Sequence, residues 1–244
     1  LMGLIFSLLT FSQYSNEKLS NRYFFKQNKG QWNSKIQFKA ELNDGAMFLE
    51  NQGITYHFED KTFIRESHLS KRPIKEPISK KGHVVKVNFK GSNQNPLISS
   101  TRKSPYYENY FLGNDKSKWA SEVRVFNEVT YSNVYSNIDF NIYESQSNMK
   151  YDFIVSPGGN YKNIEIEYQG ADNLYIENGV LYVKTTITDI IENKPYAYQI
   201  IDGEKIKVKC NFKLQKNILK FSLPNGYDKT KELIIDPVLI FSSY

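Results

Sequence analysis

The chain is poor in the residues that build disulfides and metal sites. It has a single cysteine, Cys210, among 244 residues, so no internal disulfide framework and no CxxC zinc pair can form. The three histidines, His57, His68 and His83, show no HExxH or HxH spacing, and no serine stands in a GxSxG motif. The sequence therefore gives no support to zinc chemistry or to an α/β-hydrolase triad, and we expect no cofactor, no metal and no catalytic residue.

Long hydrophobic runs are also scarce. The apolar stretch LMGLIFSLLTFSQ (1–13) is too short to span a bilayer and has the length of a signal-peptide core, with Ser12 before Gln13 as a plausible cleavage point. A basic segment does not precede it, so we interpret residues 1–13 as the remnant of a signal peptide. The sequence thus predicts an exported bacterial protein, secreted or at the cell surface, without a transmembrane span.

The charge is unbalanced toward the positive, with a net charge of +6 and a pI near 9.0. The lysines are spread along the chain, which favours solvated lysine-rich faces over a nucleic-acid site. The densest basic stretch, within residues 67–83, contains two prolines and an interleaved Glu76, which is typical of a solvated loop. We therefore expect no nucleic-acid partner.

Strand patterns dominate what remains. In KIKVKCNFKL (205–214) apolar residues alternate with polar ones, four of them lysine, which predicts a half-buried strand. The same period recurs at 54–58, 84–89, 138–143, 150–155 and 164–168. Turn pairs such as Asn178-Gly179 and Asp202-Gly203 separate neighbouring runs and predict hairpins. The sequence predicts an all-β fold of antiparallel β-sandwich type, with one or two packed β subdomains and very little helix.

The domain organisation is indicated only loosely. The least patterned parts are the basic loop at 67–83 and the polar stretch at 91–105. We divide the chain into an N-terminal β portion, 14–105, and a C-terminal β portion, 106–244, which share one core or form two. The final segment, LIIDPVLIFSSY (233–244), reads as a strand, a turn at Asp236-Pro237 and a second apolar strand. Such an end predicts a joint to a following region beyond Tyr244.

The stretch ENYFLGNDKSKWASEV (108–123) holds the weak ligand-binding candidates, Trp119, Asn114 and Asp115. In one interpretation Trp119 and nearby tyrosines form a platform that stacks on sugar rings. In the other, the turn at Asn114-Asp115 caps a short helix and Trp119 packs back on the preceding strand. A calcium loop using Asp115 and Glu122 is less well supported, because the D-x-D-x-D run is absent.

Two further groups of residues could carry chemistry. Asp139 and Asp152 lie on runs that could be neighbouring strands, and a glycosidase needs two carboxyl groups about 5–10 Å apart in a cleft. Two acids on adjacent strands are more often a solvated face. Cys210 lies on the apolar side of its run and is expected to be a small core residue rather than a nucleophile.

Ordered motifs connect the chain to a known class. They include NKGQW (28–32), ENYFLGNDKSKWAS (108–121), MKYDFIVSPGG (149–159) and ENKPYAYQIIDG (192–203). From about residue 24 to its end the chain resembles the uncharacterised N-terminal domain of secreted bacterial proteins of the SBBP-repeat class. Those proteins are similar to gliding-motility-associated surface proteins exported by the type IX system. The resemblance implies that β-propeller-like repeats follow the DPVL-F-S-Y segment, and it implies no catalytic or binding residues.

The expected function is that of a non-enzymatic β module in a secreted or cell-surface protein, supporting adhesion, surface attachment or extracellular assembly. Its partner would be an extracellular glycan or a surface protein. One alternative is a carbohydrate-binding domain that uses exposed aromatic residues, and a second is a secreted glycan hydrolase that uses Asp139 and Asp152.

Overall fold

The computed structural model describes residues 24–61, 81–111, 113–145 and 148–243. The expected signal peptide (1–13) and all but the last three residues of the basic loop (67–83) lie outside this described part. Within it, two single-turn 3₁₀ helices, Lys116–Lys118 and Tyr161–Asn163, accompany nineteen β-strands. The strands are β1 (Phe25–Gln27), β2 (Ile36–Leu42), β3 (Gly45–Glu50), β4 (Gly53–Glu59), β5 (Gly82–Phe89), β6 (Leu97–Tyr110), β7 (Ala120–Tyr135), β8 (Ile138–Ser145), β9 (Asn148–Val155), β10 (Ile166–Gln169), β11 (Asn173–Glu177), β12 (Val180–Lys184), β13 (Thr188–Glu192), β14 (Tyr196–Ile201), β15 (Glu204–Val208), β16 (Asn211–Gln215), β17 (Ile218–Ser222), β18 (Leu233–Asp236) and β19 (Val238–Ser243).

All strand pairings in the described part are antiparallel and link into one sheet. One layer runs β1-β2-β3-β4-β5-β10-β17-β16. The other runs β6-β7-β8-β9 and then divides into the branches β18-β14-β15 and β19-β13-β12-β11. The layers are joined where β1 pairs with β7. The prediction of an all-β, antiparallel fold with very little helix is confirmed, and no helix of the described residues is long and apolar enough to cross a membrane.

The second layer divides at Pro237. Strands β18 and β19 pair with β9 in one continuous register, from Leu233 opposite Val155 to Leu239 opposite Met149. Pro237 has no N–H to give to the ladder, so it interrupts the pairing without turning the chain. The two predicted apolar strands are present, and the predicted turn between them is wrong. On the other edge, β14 pairs with β18 before Pro237 and β13 pairs with β19 after it.

The two layers enclose a common aromatic core. The Phe89 ring of β5 lies with its centroid 4.8 Å from that of Phe140 on β8 and 6.0 Å from that of Phe153 on β9. All three side chains are at most 3% exposed. Burying a phenylalanine contributes about 1.5–3 kcal/mol, so this trio is a major tie between the layers. The core cluster includes residues from both sides of position 105, which itself lies inside β6.

Predicted hairpins and strand faces are found where the pattern placed them. Asn178 and Gly179 both have positive φ, 51° and 82°, as a two-residue turn between β11 and β12 requires. The same holds for Asp202 and Gly203 between β14 and β15. The expected inward faces at 138–143 and 150–155 are buried. These inward residues are Ile138, Phe140, Ile142, Tyr151, Phe153 and Val155.

The stretch 205–214 departs from its prediction as a single strand. It breaks at Lys209-Cys210, so that β15 pairs with β14 in one layer and β16 pairs with β17 in the other. Val208, Cys210 and Phe212 are buried as the alternation predicts, whereas Ile206, on the same predicted face, is 44% exposed. The period-2 pattern therefore identified the buried side chains around the break, was wrong at Ile206, and could not reveal that the chain changes layer. A strand and a short crossing give the same alternation when both sit over one core.

Candidate surface-binding site

The outer part of the β6–β7 hairpin extends past the rest of its layer. Strand β1 reaches β7 only at Val125 and Phe126, and from Ala120 to Arg124 the backbone partner of β7 in the described part is β6. The register of β6 and β7 shifts on both sides of the Tyr107–Glu108 pairs. Such irregularities increase local twist and re-aim side chains. The hairpin therefore presents its own face to solvent.

Exposed aromatic side chains are concentrated on this hairpin. Four of the nine large hydrophobic side chains that are exposed among the described residues fall between positions 106 and 119. Tyr107 is 49% exposed, Phe111 57% and Trp119 38%. We refer to Tyr107, Phe111 and Trp119 as the hairpin aromatic patch. Clustered apolar exposure of this kind is uncommon on a surface without an interaction role.

The Trp119 ring is held in a fixed place. Its ring meets that of Phe111 edge to face with centroids 5.6 Å apart, and its indole N–H donates to the Gly113 carbonyl oxygen at 3.2 Å. The Lys116 Nζ lies 5.8 Å from the ring centroid. An aromatic side chain with few free torsions and fixed contacts loses little entropy on binding. The ring is thus anchored while a large part of it remains accessible.

The opposite side of the hairpin is packed against the body of the fold. Tyr106 meets Phe24 edge to face at 5.6 Å, and Tyr110 meets Trp32 in the same way at 5.4 Å. The Tyr110 hydroxyl donates to Glu108 at 2.6 Å. Burial of the phenol and this carboxylate together raise the pKa of Tyr110 above its usual range. The hairpin aromatic patch therefore sits on a supported element.

The structure brings together part of the predicted ligand-binding group. Trp119 combines features of both interpretations, because its ring packs on Phe111 and its side chain is still 38% exposed. Asp115 caps the 3₁₀ turn: its Oδ1 accepts from the Ser117 amide at 3.1 Å and from the Ser117 hydroxyl at 2.6 Å, which lowers its pKa. Asn114 is exposed in the preceding bend.

The carboxylates of Asp115 and Glu122, the two residues of the predicted calcium loop, face different partners. The Glu122 carboxylate lies 3.7 Å from the Arg124 guanidinium, and the Asp115 carboxylate faces Ser117 and Lys118. Among the residues that the structure describes, no group of three or more His, Cys, Asp or Glu side chains could hold a metal ion.

The predicted carboxylate pair lies on the outer face of the β8–β9 hairpin. Asp139 accepts from the Asn133 amide at 2.6 Å, a contact within the neighbouring turn. Asp152 stands opposite Asn141 in the register, and its pKa is raised to about 7, chiefly by burial and then by the nearby carboxylate of Asp236. The acids that act electrostatically on Asp152 are therefore Asp236, which the sequence interpretation assigned to a turn, and to a smaller extent Glu128.

The histidines have ordinary contacts where the structure describes them. His83 contacts the Thr186 hydroxyl through Nδ1 at 3.0 Å and the Gly170 carbonyl through Nε2 at 2.7 Å. The Nδ1 of His57 lies 3.8 Å from the Glu59 carboxylate. His68 lies outside the described part.

Cys210 occupies the core position that the sequence predicts. It is 4% exposed, and burial raises the pKa of its thiol to about 12. Because the thiolate is the reactive form, we expect the native protein to react with an aromatic disulfide reagent at least about a hundredfold more slowly than the urea-unfolded chain at about pH 8. Absorbance of the released thiolate measures both rates. Equal rates would mean that the thiol is accessible.

Sequence reasoning missed Tyr107 and Arg124 as parts of the surface. They stand opposite each other in the β6–β7 register, with the guanidinium carbon 5.4 Å from the ring centroid. The spacing Tyr107-x-Asn109-x-Phe111 carries the period of one strand face and would have placed Tyr107 beside Phe111. The partner Arg124 depends on the register, which the irregular pairing hides from sequence.

Comparison with known proteins gives one match. A family model for a domain of unknown function, DUF7948, matches residues 25–238, a range that includes the whole of the β6–β7 hairpin. No curated protein and no solved structure matches the chain.

Proposed function

Since the chain belongs to the DUF7948 family of domains of unknown function, we propose a function from the chain's own surface. It is a non-catalytic β module of a secreted or cell-surface bacterial protein and supports adhesion, surface attachment or extracellular assembly. The observation that carries this proposal is the hairpin aromatic patch. Aromatic side chains dominate contact energies in interfaces because they bury a large area at a small entropic cost.

The context proposed for the module comes from the ordered motifs of the sequence. Their resemblance to the N-terminal domain of SBBP-repeat proteins supports export by the type IX system and β-propeller-like repeats after residue 244. In such a chain this module would present the hairpin at one end of a longer surface protein. The partner would then be a surface protein or an extracellular glycan.

A carbohydrate ligand is the second candidate, favoured by the state of Trp119. Its ring is anchored through Phe111 and Gly113 and is still 38% exposed. Sugar rings present C–H groups that pack on such faces, and the exposed Lys116 and Asn114 beside it offer hydrogen-bond donors. The Trp119 ring packs on Phe111, as one interpretation expects, and keeps the exposed area that a sugar-stacking platform needs.

The proposed function is tested by removing the patch. Trp119→Ala combined with Phe111→Ala is expected to lower binding of the labelled chain to washed bacterial cells, or to a neutral-glycan array, by about tenfold or more. The rings of Phe111 and Trp119 contact each other, and neither side chain is part of the core cluster, so the thermal unfolding midpoint should change little.

The matched control is Leu97→Ala on the same strand, β6. Leu97 is 72% exposed and lies at the other end of the strand from the patch. It removes exposed apolar area from the same strand outside the patch, so binding should stay as in the unchanged chain. Equal binding by all three proteins would exclude the patch as the contact surface. Unfolding of the Trp119→Ala chain would assign the ring a structural role and remove the glycan platform.

A further inference from the structure

A pocket of about 430 Å³ lies where the chain crosses between the two layers. Three lysines line it together with a tyrosine and two asparagines: Lys194, Lys207, Lys209, Tyr196, Asn211 and Asn225. No Asp or Glu is part of the lining. We refer to this group as the lysine pocket. Its volume falls in the range of small-ligand sites.

The fold brings these residues together from three stretches of the chain. Lys194 precedes β14, Lys207 lies near the end of β15, and Lys209 stands in the crossing between β15 and β16. Asn225 comes from the loop after β17. The break in the stretch 205–214 therefore creates the concave surface. A continuous strand would have left the same lysines on a flat face.

The charges of the pocket lysines are uncompensated. Two partly buried lysines elsewhere are paired: Lys150 lies 3.1 Å from Asp236, and Lys220 forms an ion pair with Glu165. Within the described residues, none of the three pocket lysines forms an ion pair with a carboxylate. Like charges held close together repel, and an anion in the pocket would relieve that repulsion.

Tyrosine rings extend the pocket along the outer face of β14 and β15. The Nζ atoms of Lys205 and Lys207 lie 5.1 Å and 5.6 Å from the Tyr196 ring centroid, and Lys205 Nζ lies 3.6 Å from that of Tyr198. Tyr196 and Tyr198 are neighbours on one strand face with centroids 5.6 Å apart. The result is a row of lysines and tyrosine rings, cationic at Tyr196 in the pocket and within reach of the carboxylates of Asp152, Asp236 and Glu232 at Tyr198.

The chemistry of this row points to one class of ligand. Lysine ammonium groups match carboxylate or sulfate substituents, tyrosine rings match the C–H faces of sugars, and asparagine amides match hydroxyl groups. We propose that the lysine pocket binds an acidic polysaccharide, with an anionic substituent among the lysines and a neighbouring sugar against Tyr196. The site is separate from the hairpin aromatic patch and does not depend on it.

The test compares two triple variants that remove the same charge. The pocket variant removes the three positive charges of the lining, by Lys194→Gln, Lys207→Gln and Lys209→Gln. The control carries Lys86→Gln, Lys103→Gln and Lys213→Gln, three exposed lysines outside the pocket lining. Binding of the full chain to sulfated heparin and to carboxylated polygalacturonate is measured by calorimetry, with neutral dextran as the uncharged comparison.

The pocket variant is expected to lose about tenfold or more in affinity for at least one acidic polymer, while the control loses less than about twofold. The two acidic polymers distinguish sulfate from carboxylate recognition. Tyr196→Ala in the otherwise unchanged chain should also weaken binding of the acidic polymer. The dependence of that binding on salt should stay the same, because the substitution removes stacking and not charge.

Three results would overturn the proposal. Equal losses in the two triple variants would mean that only net charge matters. Failure of the unchanged chain to bind either acidic polymer would exclude the ligand class. Equal or tighter binding to duplex DNA would assign the row to nucleic acid. All six substituted lysines are exposed, so circular dichroism should show an intact fold in both variants.

Discussion

Glu192→Ala is expected to lower the free energy of unfolding by roughly 3–5 kcal/mol. The side chain is 2% exposed on β13 and receives two hydrogen bonds. The Tyr151 hydroxyl donates to Oε2 at 2.6 Å, and the Tyr168 hydroxyl donates to Oε1. Removing the carboxyl group leaves two buried hydroxyls without an acceptor and creates a void beside them.

The surroundings explain why the site depends on this carboxyl group. The Glu192 side chain borders a cavity of about 20 Å³ that Tyr56, Phe89 and Phe140 also line. Such a space holds about one water molecule, so little solvent lies beside the two hydroxyls. Burial raises the pKa of Glu192, and the two tyrosine hydroxyls oppose that rise.

The sign of the pH dependence follows from the raised pKa. The folded state holds the Glu192 proton more tightly than the unfolded chain does, so this stabilisation is complete at acid pH and is lost as pH rises through the folded-state pKa. Glu192→Gln keeps an acceptor oxygen and removes the titration. It should therefore cost less than Glu192→Ala and flatten the decline of stability with rising pH.

Urea unfolding of the three proteins at several pH values measures these effects. Glu204→Ala serves as the control, because Glu204 is exposed at the start of β15. A loss below about 1 kcal/mol in Glu192→Ala would show that the two tyrosines find other acceptors.

Asp152→Asn is expected to stabilise the protein by about 2–4 kcal/mol at pH values above about 8, and by little or nothing near pH 4. The Asp152 carboxyl is half-buried, and its pKa is raised to about 7 from an ordinary value of 3.8. Burial is the main cause and the carboxylate of Asp236 adds to it. Replacing the acid by a neutral amide removes the cost of ionising it.

The groups around Asp152 limit how far its pKa rises. The Tyr143 hydroxyl lies 3.3 Å from Oδ1, and the Lys150 ammonium acts from the same strand; both favour the ionised form. Lys150 is shared with Asp236, at 3.1 Å from both of its carboxylate oxygens. Asp152 therefore lies beside a cation that is already engaged by another carboxylate.

The sign for Asp152 is opposite to that of a usual surface aspartate. Its raised folded-state pKa means that stability is complete below about pH 4 and falls as pH rises to about 7. The difference between the unchanged chain and Asp152→Asn should open over that window. A difference that stays constant between about pH 4 and about pH 8 would contradict the raised pKa, and carboxyl NMR titration of Asp152 provides a direct measurement.

Alternation and turn chemistry were enough to predict the fold class. The buried faces at 138–143 and 150–155 and the hairpins at Asn178-Gly179 and Asp202-Gly203 follow from local rules. The apolar position of Cys210 follows in the same way. These features depend on neighbours within a few residues, and such neighbours are visible in a sequence.

What the sequence could not show depends on pairings across long separations. Asp236 acts on Asp152 because β18 lies beside β9, although 84 positions separate the two acids. Tyr168 and Glu192 meet across the core, where neither strand pattern marks a polar contact. The lysine pocket needs the change of layer at Lys209. Each of these arrangements requires the strand order, and alternation does not encode strand order.

The position of residues 233–243 between β9 and both branches has a consequence for the order in which the described strands can fold. Strands β18 and β19 on the two sides of Pro237 are interior strands, each with a neighbour on both edges: β9 and β14 for one, β9 and β13 for the other. A ribosome delivers them after the other seventeen described strands. Until residues 233–243 arrive, β9 has one open edge and both branches lack their link to it. Among the described strands, residues 233–243 therefore join the second layer last, and that layer is completed through contacts of long range.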